Sequence, residues 1–397
     1  MTNFKFQISN FKLPIIGYLV GVIALFLYSF TQVDLGLTLS RWSVWQFFEK
    51  RFQYIGYFQR PLSGYLFAGI ILVLFFFYLM ILQNIKKGKF EKKELWSLII
   101  LATVILTFSY NAFSYDLFNY IFDAKIVTHY FQNPYLHKAL DFPMDPMLSF
   151  MHWTHRLYPY GPIWIGLTIP LSLIGLQFFL PTFFLFKIFI AAGFLGTVYF
   201  IGKILQKSQP HNELFGVAFF ALNPLVIIES LVSAHNDIVM MFFGMWAVYL
   251  LMNMRYVRSI ILFALSVGVK FATAAIFPVY ALIIYLQNKN KKINWQLMFF
   301  FMTILTIVPI ILASFRTSFQ PWYLLDILPF VALVSTDYYA FIPGVLISLF
   351  AVFEYLPFLY TGNWDNPIPL ILFWMTTISI ILSVLLTAGW YTKKMIK

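Results

Sequence analysis

The sequence contains no cysteine, and only 11% of its 397 residues are charged. The first absence excludes disulfides, thiol catalysis and thiolate metal sites. The second is incompatible with a soluble surface, since ordinary soluble domains carry about 25% charged residues. Of the two signs the acidic residues are the scarcer: 15 Asp and Glu stand against 27 Lys and Arg, a net charge of +12. No stretch is polar enough to fold as a soluble domain, so residues 1–397 read as one integral membrane domain. A positive chain suits nucleic acid only when its basic residues form a stripe with interleaved aromatics. Here they fall in short clusters between apolar runs, so a nucleic-acid partner is not expected.

What is present is hydrophobic: 61% of the residues, with a mean hydropathy of +0.80. Apolar runs long enough to cross about 30 Å of hydrocarbon recur from Leu13 to Trp390. The spacing predicts spans near 13–31, 62–84, 95–111, 182–204, 213–231, 237–254, 295–315, 321–335, 338–356 and 367–391. Lys5 and Lys12 precede the first run as in a secretory signal, but the run is too long for one and reads as an uncleaved span. Residues 258–288 have Arg255 and Arg258 before them and Lys289 to Lys292 after them, so two short helices meeting near Lys270 are expected. The segment 161–178 is read as re-entrant or interfacial, because counting it as a span inverts every later loop. The positive-inside rule then gives about twelve crossings with both termini cytoplasmic. The fold class expected is an all-α polytopic helical bundle in the cell membrane, with the large loop 112–160 outside.

With that topology the ionisable residues gather at the outer face rather than at the bilayer midplane, and such groups are functional candidates by default. In SYDLFNYIFDAKIVTHYFQNPY, residues 114–135, Asp116, Asn119, Tyr120 and Asp123 share one helical face. This predicts an amphipathic helix in the membrane interface, with Asp116 over a cavity; the plain alternative is a wet face. YPYGPIW, 158–164, makes a rigid turn carrying Tyr160 at headgroup depth, where an aromatic belt alone would explain tyrosines. ALNPLVIIESLVSAHNDIVMM, 221–241, places Glu229 in an apolar run and His235, Asn236 and Asp237 at its end. Helix capping accounts for Asn236 or Asp237 but not for the whole set. His235, Asp237, Asp116 and Asp123 are the residues that would hold a divalent cation, yet no H-x-x-x-H or paired-carboxylate spacing supports a metal, and no cofactor is expected. Lys270 in VGVKFATAAIFP either snorkels or pairs with a phosphate at a helix break. FRTSFQPWYLLD adds Arg316, with Trp322 and Tyr323 as flat faces for a sugar ring or a prenyl tail.

Taken in order, D-x-x-x-Y, NPY and YGP in the first large loop, then NP and HND, then VK-x-x-x…P and PWY, this chain resembles the GT-C superfamily. It is similar in particular to the polyprenol-phosphate-mannose-dependent mannosyltransferases of bacterial and archaeal envelopes, and more distantly to the eukaryotic GPI mannosyltransferase I subunit. The resemblance covers about residues 95–335. It implies that Asp116 is the catalytic base and that Asp237 is the acidic residue of the later loop. It departs from the family in that two spans precede the one before the aspartate, where the family's aspartate usually follows the first span.

The implied reaction is an inverting displacement of polyprenyl phosphate by a hydroxyl of a glycan or glycolipid acceptor on the extracytoplasmic side. Asp116 takes the hydroxyl proton. Lys270, Arg316 and His235 face the leaving phosphate, with Asp123, Tyr120, Tyr160 and Trp322 lining the substrates. A transporter or flippase is the rival class; it calls for ionisable groups at the midplane and an inverted repeat, and neither is evident. A membrane scaffold without an active site leaves the outer-face cluster unexplained.

Overall fold

The computed structural model describes residues 12–395; Lys5 and Lys397 of the basic clusters, and the ends of the chain generally, lie outside the described residues. Among the described residues all regular structure is helical. Seven helices are long and apolar enough to cross a membrane: Leu13–Gln32, Arg60–Lys86, Phe179–Ser208, Phe271–Asn288, Trp295–Thr317, Tyr338–Thr361 and Ile368–Lys394. An eighth is a broken pair, Pro210–Ala221 and Pro224–Val232, bent by 54°. The expected count of twelve is reached only if Lys92–Thr107, Asp237–Met252, Tyr256–Val269 and Pro321–Leu333 also cross. Each of these four is 17 residues or shorter, so length and composition alone do not admit them.

The expected break at Lys270 is present. Helix Tyr256–Val269 ends there, Lys270 is extended at φ −155° and ψ 139°, and a 3-10 turn Phe271–Ile276 leads into Phe277–Asn288. The segment read as re-entrant forms a 13-residue helix, Pro162–Ile174, about 20 Å long at 1.5 Å per residue and too short to cross.

The basic loops meet at one end of the bundle. Lys92 pairs with Glu213 at 2.7 Å, Lys207 donates to the Met252 carbonyl at 2.7 Å, and Lys86 sits over the rings of Phe215, Tyr338 and Phe341. The acidic and aromatic motifs therefore lie at the ends of the helices leading away from it.

Phe179–Ser208 is the central post, packed against Lys92–Thr107, Asp116–Thr128, Pro162–Ile174, Glu213–Ala221, Asp237–Met252 and Leu324–Leu333. Some 56% of its apolar window is buried, against 11% for Ile368–Lys394, which lies at the periphery. Against the post runs the one long stretch of uninterrupted burial, residues 215–241. It contains the break: Asn223 accepts from the backbone N–H of Leu225 at 3.0 Å with Pro224 at the first turn, starting a new helix in a new direction.

One expectation fails here. Asp116–Thr128 is not a half-wet interfacial helix, since Leu117, Phe118, Tyr120, Ile121, Phe122, Asp123, Ala124 and Ile126 are all buried. The helix packs between Pro162–Ile174 and the central post, and of its polar face Tyr120 and Asp123 are buried while Asp116 and Asn119 stay partly exposed. The amphipathic helix is instead Ser43–Gln53, where Trp42, Phe47 and Phe48 are exposed beside Lys50 and Arg51.

Candidate active site

The broken helix sets the centre of the site. Its last turn, Ile228–Val232, is a π-turn, and Ala234 follows in the left-handed region at φ +58°. An alanine rarely adopts that conformation. Here it lets the His235 N–H reach back six residues to the Glu229 carbonyl at 2.9 Å, closing the end of the π-turn. The carbonyls of Leu231 and Val232 are taken by the ammonium of Lys187, at 2.5 and 3.0 Å, with Ser109 Oγ at 3.2 Å. The main chain of 228–235 is thereby fixed from both sides, and with it Glu229 and His235.

His235 is fully buried and lies between two carboxylates: Asp116 Oδ2 is 3.6 Å from Nδ1, and Glu229 Oε2 is 3.2 Å from Nε2. Both separations are ion-pair distances, and neither ring nitrogen is in hydrogen-bond geometry with its carboxylate. Tyr355 donates to the other Glu229 oxygen at 2.9 Å, and Tyr160 donates to Asp116 Oδ2 at 3.4 Å. Trp322 stacks on the imidazole, with ring centroids 4.5 Å apart and planes 16° apart. Burial alone lowers the affinity of His235 for its second proton, but Asp116 and Glu229 together outweigh it and hold the pKa up at about 9. Burial likewise raises the Asp116 carboxyl, and His235, Lys270 and Tyr160 outweigh that, leaving it below the ordinary range. At neutral pH the pair is a carboxylate beside an imidazolium.

The second half of the site is built on the break at Lys270, whose ammonium lies 2.5 Å from Asp237 Oδ1 and 5.7 Å from the centre of the Tyr323 ring. Burial opposes the charge on Lys270, but Asp237 and Asp326 raise its pKa above the usual value. Asp237 Oδ2 and Asp326 Oδ1 are buried without a hydrogen-bond partner among the described residues. Asn236 joins the halves, since Tyr120 Oη donates to its Oδ1 at 3.4 Å.

The aromatic loops close the arrangement. The Tyr158 N–H donates to the Pro134 carbonyl at 3.2 Å and Tyr135 Oη to the Tyr160 carbonyl at 3.1 Å, which ties NPY to YPYGP. The Gly161 N–H then donates to the Val269 carbonyl at 3.1 Å. A Cβ on Gly161 would lie 2.1 Å from the Gly268 carbonyl oxygen, so only glycine lets the turn carrying Tyr160 seat on the Lys270 break.

Of the sequence-predicted residues, the structure brings together Asp116, Tyr120, Tyr160, His235, Asp237, Lys270 and Trp322. Within this set Asp116 and Lys270 keep exposed side-chain surface, 19% and 25%, while Asp237 keeps 1% and His235 none. Asp123 is buried beneath Asp116, and burial together with that neighbouring charge pushes its carboxyl well above the usual range. Two roles change. His235 is enclosed by carboxylates and does not face a substrate phosphate, and Trp322 spends one face on His235 rather than on a sugar. Arg316 stays outside the cluster, exposed in the last turn of Trp295–Thr317. Glu229, Tyr355, Asp326 and Lys187 are the residues the sequence assigned no role. Glu229 carried a signal, an acid inside an apolar run, whereas nothing local marks Tyr355. The imidazole separates Asp116 from Glu229, and among the described residues no three of His, Asp or Glu are placed to hold one metal ion.

A family model described as alpha-(1->6)-mannopyranosyltransferase, N-terminal domain, matches residues 18–286, which include Asp116, Glu229, His235, Asp237 and Lys270. Alpha-(1->6)-mannopyranosyltransferase A of Corynebacterium glutamicum is 30% identical over 191 residues, 47% of this chain. That alignment spans 36% of the relative's own length. No solved structure matches. With its first transmembrane segments, its aspartate loop and its histidine–aspartate turn all inside the matched region, the chain belongs to the alpha-(1->6)-mannopyranosyltransferase family.

Proposed function

We infer that this protein transfers mannose from a polyprenyl-phosphate-linked donor to an acceptor hydroxyl of a glycan or glycolipid, on the extracytoplasmic face of the membrane, with inversion at the anomeric carbon. The observation that carries this is that one partly exposed carboxylate, Asp116, and one partly exposed ammonium, Lys270, lie in the same cluster. Every other acid in the cluster is nearly or fully buried. Family membership supports mannose, and the surroundings of Lys270 support a lipid donor. Phe271, next in the chain, is 65% exposed, and the helix packed on its turn exposes Leu312 and Phe315. Those side chains offer an apolar flank for a prenyl tail whose phosphate lies at the ammonium.

In the reaction the acceptor oxygen forms a bond to the anomeric carbon as the bond from that carbon to the phosphate oxygen breaks. The hydroxyl proton goes to Asp116, and the electron pair leaves with the phosphate, which gains one negative charge. Lys270 offsets that charge as it develops. A depressed pKa keeps Asp116 ionised throughout the working range, and the hydroxyl becomes a strong enough acid to give up its proton only as its bond to carbon forms.

The test is transfer from labelled polyprenyl-phosphate mannose by purified Asp116→Asn protein. Loss of the base should lower the rate by about two orders of magnitude or more, with donor binding almost unchanged, since the acceptor's proton plays no part in holding the phosphate. Asp123→Asn should do less. Near-normal transfer by folded Asp116→Asn protein would end this assignment and make Asp237 the next base to test.

A further inference from the structure

Glu229 contributes nothing to the reaction as written, yet it occupies the most protected position in the cluster. It is fully buried, in the middle of a π-turn inside an otherwise apolar segment. A bare carboxylate in such a place is costly unless it is paired and hydrogen-bonded. Its two oxygens are addressed separately: Oε1 accepts from the Tyr355 hydroxyl at 2.9 Å, and Oε2 lies at an ion-pair distance of 3.2 Å from His235 Nε2, outside hydrogen-bond geometry. The other nitrogen of the same ring faces Asp116 at 3.6 Å. The flat face of the imidazole is covered by Trp322.

We propose that Glu229 is a positioning residue of the transfer reaction, which through the shared imidazole of His235 fixes the charge state and the orientation of the Asp116 carboxylate. This rests on the reading of Asp116 as the base.

The argument is one of electrostatics at short range. A histidine with no solvent contact beside a single carboxylate is torn between desolvation and one ion pair. A second carboxylate on the opposite nitrogen decides the matter for the charged ring and requires a proton on both nitrogens. With both nitrogens as donors, the ring has one orientation that serves both acids, and the Trp322 stack permits it. The imidazolium then holds Asp116 ionised and aimed. The other groups facing Asp116 are Tyr160 on the YPYGP loop, Lys270 at the hairpin break, Asp123 one helical repeat below, and Tyr120 and Tyr355 farther off. Of these only Lys270 is a cation, and it is already engaged by Asp237. Glu229 therefore governs the nearest positive charge that Asp116 has.

The consequence is visible in a pH profile. In Glu229→Gln protein the ring keeps one carboxylate instead of two and loses its second proton at lower pH. Above that pH the neutral ring no longer holds Asp116 aimed, so kcat/KM falls on the alkaline side through the ring's lowered titration, whereas the acid limb, which lies where the ring is still charged, stays in place. The loss is therefore smallest at acid pH and grows as the pH rises through the lowered titration of the ring. The ring is read independently by nuclear magnetic resonance, as the one imidazole resonance that His235→Gln removes. It should stay protonated past pH 8 in the unaltered protein and titrate lower in Glu229→Gln. A uniform loss of activity at every pH, with the His235 titration unmoved, would overturn the proposal and leave Glu229 a packing residue. Should Glu229→Gln fail to fold, His235→Gln alone must still raise the acid limb, and an unmoved limb there is equally fatal. Failure of the base assignment shows separately, as persistent transfer by Asp116→Asn while the His235 titration still responds to Glu229.

Discussion

The ammonium of Lys187, on the central helix, closes the carbonyl end of the turn that carries Glu229, lying 2.5 Å from the Leu231 oxygen and 3.0 Å from that of Val232. A side-chain donor at a helix C-terminus meets carbonyls that the helix itself leaves unsatisfied. Lys187 also donates to Ser109 Oγ, which sits just past helix Lys92–Thr107, so one side chain joins three parts of the site's frame. Lys187→Met keeps most of the volume and leaves two buried carbonyls without a donor, a cost of about 1–3 kcal/mol. The expected outcome is a lower Tm together with a fall in kcat that exceeds any change in KM. An unchanged kcat in a destabilised protein would mean that the cap serves the fold alone.

Lys270 and Arg316 entered as equal candidates for the donor phosphate, and the structure separates them. Lys270 lies in the cluster with a quarter of its side chain exposed, whereas Arg316 lies exposed in a terminal turn outside it. Lys270→Ala should weaken use of the lipid donor by roughly 1.5–3 kcal/mol, the range for a charge-assisted contact. It should also disturb Asp237, left buried without its partner. Arg316→Ala should change donor KM less than about threefold, as surface changes usually do. Equal effects of the two substitutions on donor KM would return Arg316 to the site.

The orientation of the bundle is open to direct labelling, because the chain has no cysteine of its own. Gly88 and Asn290 both have positive φ, +66° and +52°, so their exposed neighbours Lys89 and Lys291 make better positions for a new side chain. Single cysteines at Asn133 and Asn363 should react with an impermeant thiol reagent outside intact cells, and those at Lys89 and Lys291 should not. Labelling at Lys89 from outside would reverse the assignment of faces.

The chain's order of apolar runs and basic clusters determined by itself that this is a helical membrane protein, where its loops fall, and that 258–288 breaks at Lys270. Those properties follow from composition and from charges near each segment, which are local. The motifs likewise marked Asp116, His235, Asp237 and Lys270, because an ionisable residue in an apolar neighbourhood stands out in any window. What each of them does was decided only by the tertiary structure. Local pattern gave Asp116, Asn119, Tyr120 and Asp123 a shared face but could not say that Pro162–Ile174 and the central post would bury it. His235 read as a cation free to meet a phosphate, until Glu229 and Asp116 took its two nitrogens. Tyr355 lies 126 residues from the glutamate it serves, and Lys187 lies 44 from the carbonyl it caps. Charge interactions depend on distance in space and on the water excluded between the groups. Neither quantity is set until the helices have packed.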